Sequence, residues 1–189
     1  MKLLLMVLTL ALSIAGVHAQ GLVLFNNRVT EVGLDAPALF LASGEMLDGG
    51  QGWRAALYGA VGTLSSDSSF VLLTSPLSGN SWVAFRTGAA AGYVDVGSDG
   101  ARTIPGAGYN TLVTLQIRVW QGGYTSYEAA TASGAPVGKS QLLTIESGPD
   151  DQNPRPMIGL QWPIPEPSTY VLASMGIAAL LLLRSRSRV

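Results

Sequence analysis

A two-residue alternation of apolar and polar positions runs from Thr111 to Trp120 and is the clearest pattern in the chain. Its apolar face comprises Val113, Leu115, Ile117 and Val119, and its other face comprises Thr114, Gln116, Arg118 and Trp120. Successive side chains of a β-strand point to opposite faces of the sheet, so this alternation is typical of a strand with one buried side. The segment therefore predicts a half-buried strand whose outer face is polar.

Shorter apolar segments bounded by Gly, Ser, Asp and Pro predict further strands. These segments are 22–26, 38–42, 53–60, 69–74, 82–86, 92–97 and 141–146, and 157–162 is a candidate for a last strand. Good helix formers predict one or two helical turns over 126–132. Short strands at this spacing favour an all-β domain, either an antiparallel sandwich or a barrel. Of these we expect an antiparallel β-sandwich of jelly-roll or immunoglobulin-like type over residues 20–162.

The N-terminus has the order of features found in secretory signal peptides. Lys2 supplies a positive charge, residues 3–15 are almost entirely apolar, and Val17 and Ala19 precede Gln20. Signal peptidase cleaves after small residues in this arrangement. We therefore expect residues 1–19 to be removed and the chain to be exported.

Export changes the chemistry that the chain offers. The sole histidine, His18, is lost with the predicted signal peptide, and the chain contains no cysteine. The mature chain therefore cannot form a Ser-His-Asp triad, a Cys-His pair or a zinc site of the usual nitrogen and sulfur type. We expect no cofactor and no metal site of this kind.

The charge distribution argues against a nucleic-acid partner. Residues 20–164 contain seven basic and eleven acidic side chains, which gives a net charge of −4. No basic stripe is interleaved with aromatic residues, as nucleic-acid binding would require.

The C-terminus combines a proline-rich segment, 163–169, with an apolar run and a basic end. Residues 170–183 carry no charge, and as a helix they would span about 21 Å, less than the hydrocarbon core of about 30 Å. Three arginines, Arg184, Arg186 and Arg188, follow at once. Arginines that flank a span tend to stay cytoplasmic, and their stems can extend a short span. We therefore expect one transmembrane helix over 170–183 and a cytoplasmic tail over 184–189.

The order Pro165-Glu166-Pro167, apolar helix and arginine cluster resembles the PEP-CTERM sorting signal of Gram-negative bacteria. The resemblance implies recognition by exosortase, brief anchoring in the inner membrane, and delivery to the cell surface or extracellular matrix. It also implies an association with exopolysaccharide. The domain resembles uncharacterised PEP-CTERM proteins of Verrucomicrobia-type bacteria in the segments 25–28, 35–37, 53–59, 116–120 and 126–130.

The residues are compatible with three kinds of ligand chemistry. Trp53, Trp82 and Trp120 are candidates for stacking on sugar rings if they share an exposed face. Two carboxylate pairs, Asp95 with Asp99 and Glu31 with Asp35, are the candidates for glycoside hydrolysis, although an ordinary turn explains the first pair better. Oxygen ligands in the loops 95–100 and 150–153 suggest calcium, but without the EF-hand spacing.

These observations favour a non-enzymatic role. The leading expectation is an exported surface or matrix protein with a structural or adhesive function. A carbohydrate-binding module acting on exopolysaccharide is the alternative, and a carboxylate-dependent glycosidase is the third possibility.

Overall fold

The computed structural model of the chain describes residues 21–39, 44–149 and 154–162. The predicted signal peptide, the Pro165-Glu166-Pro167 motif, the predicted membrane helix and its arginines all lie outside these ranges. So do the predicted strand positions 40–42 and the acidic loop 150–153. Among the described residues, no helix is long and apolar enough to cross a membrane.

The described chain is an all-β domain with little helix, as the sequence predicted. Its strands are β1 (Leu22–Leu24), β2 (Arg28–Val29), β3 (Leu34–Asp35), β4 (Trp53–Val61), β5 (Val71–Leu72), β6 (Trp82–Ala84), β7 (Ala101–Thr103), β8 (Leu112–Gln121), β9 (Val137–Lys139), β10 (Leu143–Glu146) and β11 (Arg155–Pro156). Helix α1 spans Tyr127–Ala132, and short 3-10 helices span Thr30–Val32, Gly49–Gln51 and Gly88–Ala90.

A six-stranded sheet, here called the large sheet, is built around the two longest strands, β4 and β8. They pair antiparallel along their whole length, from Trp53 opposite Gln121 to Val61 opposite Val113. Two short strands, β9 and β10, pair with different parts of β8, while β5 and β6 pair with different parts of β4. The strand predicted from the alternating pattern is thereby confirmed.

A three-stranded sheet, here called the small sheet, has the order β11-β1-β7. Strand β1 runs antiparallel to β7 and parallel to β11. Both sheets contribute to one hydrophobic cluster, in which Val23 of the small sheet joins Leu57 and Ile117 of the large sheet. We call the side of the large sheet that meets this cluster its inner face.

The opposite side of the large sheet, its outer face, is also buried, which the sequence did not predict. Every residue of β8 from Val113 to Trp120 is buried. Helix α1 packs against β8, and Trp120 and Ala130 belong to one buried cluster. The expectation of a half-buried strand was therefore wrong, because a later segment of the chain covers the polar side.

Several predicted boundaries also change. Segment 92–97 forms only an isolated bridge, between Val94 and Phe85, and 157–162 is not a strand. Strand β11 lies instead just before that segment, among prolines, where β1 supplies its pairing partner. Strand β7 lies inside a glycine-rich stretch and was also missed, because it too forms through pairing with β1. The helix prediction is confirmed, and Ser126 caps α1 by accepting a hydrogen bond from the Ala129 amide at 3.2 Å.

Candidate functional site

A cleft of about 310 Å³ lies beside strand β6. Its lining residues are Asn80, Trp82, Val83, Asp95, Val96 and Asp99. One of the three candidate tryptophans and both members of one candidate carboxylate pair are thus brought together. The sequence had singled out these residues separately, for different chemistries.

The cleft is lined by β6 and by the later segment that contains Asp95 and Asp99. Phe85 donates its amide to Trp53 of β4 at 3.3 Å, whereas Ala84 accepts from the Asp95 amide on the other side at 2.9 Å. Backbone groups of a strand point alternately to its two sides. The backbone N–H and C=O groups of Val83 and Phe85 therefore point toward β4. Those of Trp82 point to the other side of the strand, toward the cleft.

Asp99 is held in place by hydroxyl groups. The side chains of Ser75 and Ser78 both donate to its carboxylate. Burial raises the pKa of Asp99, but these hydrogen bonds and the positive charge of Arg102 outweigh burial, so the pKa lies below its ordinary value. Asp99 is therefore ionised near neutral pH and acts as an acceptor.

Asp95 lies opposite on a more exposed part of the chain. Its carboxylate is 3.7 Å from the Arg86 guanidinium, and both side chains are exposed. Asp95 itself is exposed, whereas Val94 and Val96 on either side of it are buried.

The protonation of Asp99 bears on whether this cleft hydrolyses a glycosidic bond. A glycosidase needs one carboxyl group with a raised pKa to protonate the leaving group. The pKa of Asp99 is shifted in the opposite direction. Asp99 is therefore unsuited to the role of general acid.

The three tryptophans do not form one stacking surface. Trp53 is 4% exposed and belongs to the inner-face cluster, whereas Trp120 is fully buried on the outer face, where its Nε1 donates to the Tyr124 carbonyl at 3.0 Å. Trp82 is half-buried, and the Arg54 guanidinium lies 4.1 Å from its ring centre. Neither Trp53 nor Trp120 offers a ring to a sugar in this arrangement, which leaves Trp82.

The second carboxylate pair is placed on exposed backbone. Glu31 lies on the first 3-10 helix and Asp35 at the end of β3. Asp35 accepts a hydrogen bond from the Tyr93 hydroxyl at 2.6 Å, which raises the pKa of Tyr93. Asp35 thus has a structural partner. Across the described ranges, no group of three or more His, Cys, Asp or Glu side chains could hold a metal ion.

An ion-pair network on the outer face was not found from the sequence. We call it the Arg118 cluster, and it comprises Arg118, Asp67, Glu128, Lys139 and Tyr58. Arg118 is 3.1 Å from both Asp67 and Glu128, and Lys139 is 2.6 Å from Asp67. Tyr58 donates to Glu128 at 2.7 Å, and the Arg118 guanidinium lies 4.1 Å from the Tyr58 ring centre.

The Arg118 cluster shifts the pKa values of its members in the directions expected for ionised carboxylates. The hydrogen bond from Lys139 lowers the pKa of Asp67. Burial raises the pKa of Glu128, but the hydrogen bond from Tyr58 and the charge of Arg118 outweigh it, so that pKa is lowered. Burial, followed by the hydrogen bond to Glu128, raises the pKa of Tyr58. The alternating pattern placed Arg118 on the outer face, but no local signal paired it with Asp67, 51 positions away.

Comparison with protein-family models, with curated proteins and with solved structures found no match for this chain. The function of this chain is therefore inferred from its own residues and their geometry.

Proposed function

We propose that this chain is an exported surface or extracellular-matrix protein with a structural or adhesive, non-enzymatic role. In this proposal signal peptidase removes residues 1–19, exosortase processes the PEP-CTERM-like tail, and the domain passes from the inner membrane of a Gram-negative bacterium to the surface or matrix. The ordered combination of the two terminal signals in the sequence supports it.

The observation that carries the proposal is that residues just inside each predicted cleavage point make tertiary hydrogen bonds. The Gly21 amide donates to the Ala107 carbonyl at 2.8 Å, and Trp162 Nε1 donates to the Ala36 carbonyl at 3.0 Å. The domain is thus tied together from residue 21 to residue 162. Cleavage after Ala19 and near Pro165 would leave these contacts in place, which is what a protein processed at both ends requires.

Packing also supports the finer proposal of a β-sandwich. One cluster contains Val23 and Phe25 from the small sheet side and Leu57, Leu115 and Ile117 from the large sheet. Two sheets that share an apolar layer are the defining feature of a sandwich.

Mass spectrometry of the protein from cells and medium tests the sorting proposal. The variants are Glu166→Ala and, as a matched control, Glu31→Ala on the exposed 3-10 helix. We expect an N-terminus at Gln20 in all proteins, and loss of the tail near Pro165 in the wild type and Glu31→Ala only. An intact C-terminus in the wild type would overturn exosortase processing and leave a permanently anchored protein.

The cleft beside β6 favours carbohydrate binding as a second candidate function. It combines Trp82 with polar side chains in a concave site, which is the usual composition of a small-ligand pocket. A carboxylate-dependent glycosidase is the third possibility, and Asp99, whose pKa is lowered, would not be its general acid.

A further inference from the structure

We propose that the cleft beside β6 binds a short segment of a neutral, hydroxyl-rich saccharide and discriminates against uronic acids. The inference rests on the proposed extracellular location, since the chain would meet a matrix polysaccharide there. Binding is tested on the purified protein, so a failure of binding and a failure of sorting are separate results.

The size of the cleft suits a short saccharide. Its volume of about 310 Å³ lies at the lower end of the range of about 300–1,000 Å³ that is typical of small-ligand sites. A cleft of this size holds one sugar unit and part of its neighbour.

The polar groups of the cleft match sugar hydroxyls. A hydroxyl both donates and accepts hydrogen bonds. Asp95 and Asp99 supply carboxylate acceptors, Asn80 supplies an amide with both functions, and the backbone of Trp82 directs one N–H and one C=O toward the cleft. Hydrogen bonds from a hydroxyl to a carboxylate are stronger than those between neutral groups.

The apolar part of the lining complements the C–H face of a sugar ring. Val83 and Val96 line the cleft with Trp82. The Arg54 guanidinium lies 4.1 Å from the centre of the Trp82 ring, and Trp82 also packs against the buried outer-face cluster that contains Trp120, so only the remaining exposed part of the ring is open to a ligand. The ring is therefore held in one orientation before any ligand binds.

Asp99 is also preorganised. Ser75 and Ser78 donate to its carboxylate, and the Ser75 hydroxyl in turn accepts from the Leu77 amide at 3.0 Å. A group already held in its binding geometry loses little conformational freedom when a ligand arrives.

The charge of the lining accounts for the discrimination against uronic acids. Of the six lining residues, two are carboxylates and none is basic; the guanidinium groups of Arg86, Arg102 and Arg54 lie beside Asp95, Asp99 and Trp82 but do not line the cleft. A uronate carboxylate placed there would face like charges, which disfavours its binding. A neutral hexose has hydroxyls at equivalent positions and meets no such repulsion.

Binding of the full chain, purified in detergent, to an array of neutral hexose and uronate oligosaccharides tests the proposal. We expect retention of neutral oligosaccharides and not of uronates. Asp95→Asn should weaken retention about tenfold, the effect of losing one charge-assisted hydrogen bond. The exposed ion pair between Asp95 and Arg86 contributes little to stability, so this variant should fold normally.

Matched controls separate the cleft from the rest of the surface. Glu31→Gln neutralises another exposed carboxylate, and Tyr109→Ala removes a 58% exposed ring that lines a different cleft, with Arg155 and three prolines. Both should bind as the wild type does, whereas Trp82→Ala should bind more weakly. If circular dichroism shows that the Trp82→Ala variant does not fold, the binding of the Asp95→Asn variant alone tests the role of the cleft.

Three results would overturn the inference. They are no retention of any oligosaccharide by the folded wild type, uronates retained as well as neutral sugars, and equal loss of binding in the cleft variants and the controls. The first would also remove the carbohydrate-binding alternative, while leaving the sorting proposal untouched.

Discussion

On the inner face of the large sheet, hydrocarbon side chains of β4 and β8 meet those of the small sheet, whereas on the outer face Arg118 and Tyr58 meet charged partners carried by a loop and by α1. Both faces of β8 are equally inaccessible to water: Ile117 is fully buried and Arg118 is 8% exposed. The two faces therefore differ in the way that burial is stabilised.

The two faces should therefore respond to different kinds of substitution. Apolar burial is non-directional, so the inner face depends on the area and volume that its side chains fill. A buried charge is tolerated only when its partners are correctly placed, so the outer face depends on geometry. Substitutions that remove volume should therefore affect the inner face most, and substitutions that remove a charged partner should affect the outer face most.

The inner face should be most sensitive to lost volume. Ile117→Ala removes a fully buried side chain from the shared cluster. We expect the free energy of unfolding to fall by about 2–5 kcal/mol, as for other large-to-alanine changes in cores. Urea denaturation measures it, and a loss below about 1 kcal/mol would contradict a tightly packed interface between the sheets.

The outer face should be sensitive to a lost charge at constant volume. Arg118→Met leaves Asp67 and Glu128 without one cation, and we expect a loss of about 2 kcal/mol. This is below the value for fully buried pairs because those two side chains are 30% and 57% exposed. The matched control, Arg86→Met, removes an exposed pair and should change stability by less than about 0.5 kcal/mol. Equal effects of the two variants would show that the Arg118 cluster contributes no more than a surface pair.

Arg102 is a charged exception among the apolar residues of the small sheet. It is fully buried beside Phe25, and its Nε and one terminal nitrogen have no hydrogen-bond partner among the described residues. Arg102→Met should therefore raise the free energy of unfolding by about 1 kcal/mol, because it removes an incompletely paired buried charge. Thermal denaturation beside the wild type measures the change. A loss of stability would show that its hydrogen bonds to the Asp99 and Ala101 carbonyls outweigh the desolvation.

Acid should weaken the outer face and spare the inner one. The pKa values of Asp67 and Glu128 are lowered by folding, so their contribution is present above the ordinary carboxyl pKa of about 4 and is lost as pH falls through the folded values. We expect stability to decrease on acidification below about pH 4. The decrease should be smaller in the Asp67→Asn/Glu128→Gln double variant, and unchanged in Ile117→Ala. The same pH profile in the double variant and the wild type would contradict this assignment.

The sequence predicted those elements whose pattern depends on neighbouring residues, and it missed those that depend on distant ones. Alternation identified β8, and a run of good helix formers identified α1, because both depend on neighbouring residues. Strands β7 and β11 were missed because they are short, lie among glycine or proline residues, and exist through pairing with β1. For the candidate site, the sequence selected Trp82, Asp95 and Asp99, but it grouped Trp82 with two tryptophans that are buried on opposite faces.

By itself the sequence determined the all-β class, the apolar face of β8 and the absence of thiol and imidazole chemistry after the predicted cleavage, since composition and two-residue periodicity are local properties. Tertiary contacts place α1 and the loop carrying Asp67 over the polar face of β8, pair Arg118 with Asp67, and bring Trp82 into one cleft with Asp95 and Asp99. Contacts between distant segments depend on how the sheets pair and fold over one another. No local pattern in the chain specifies that pairing.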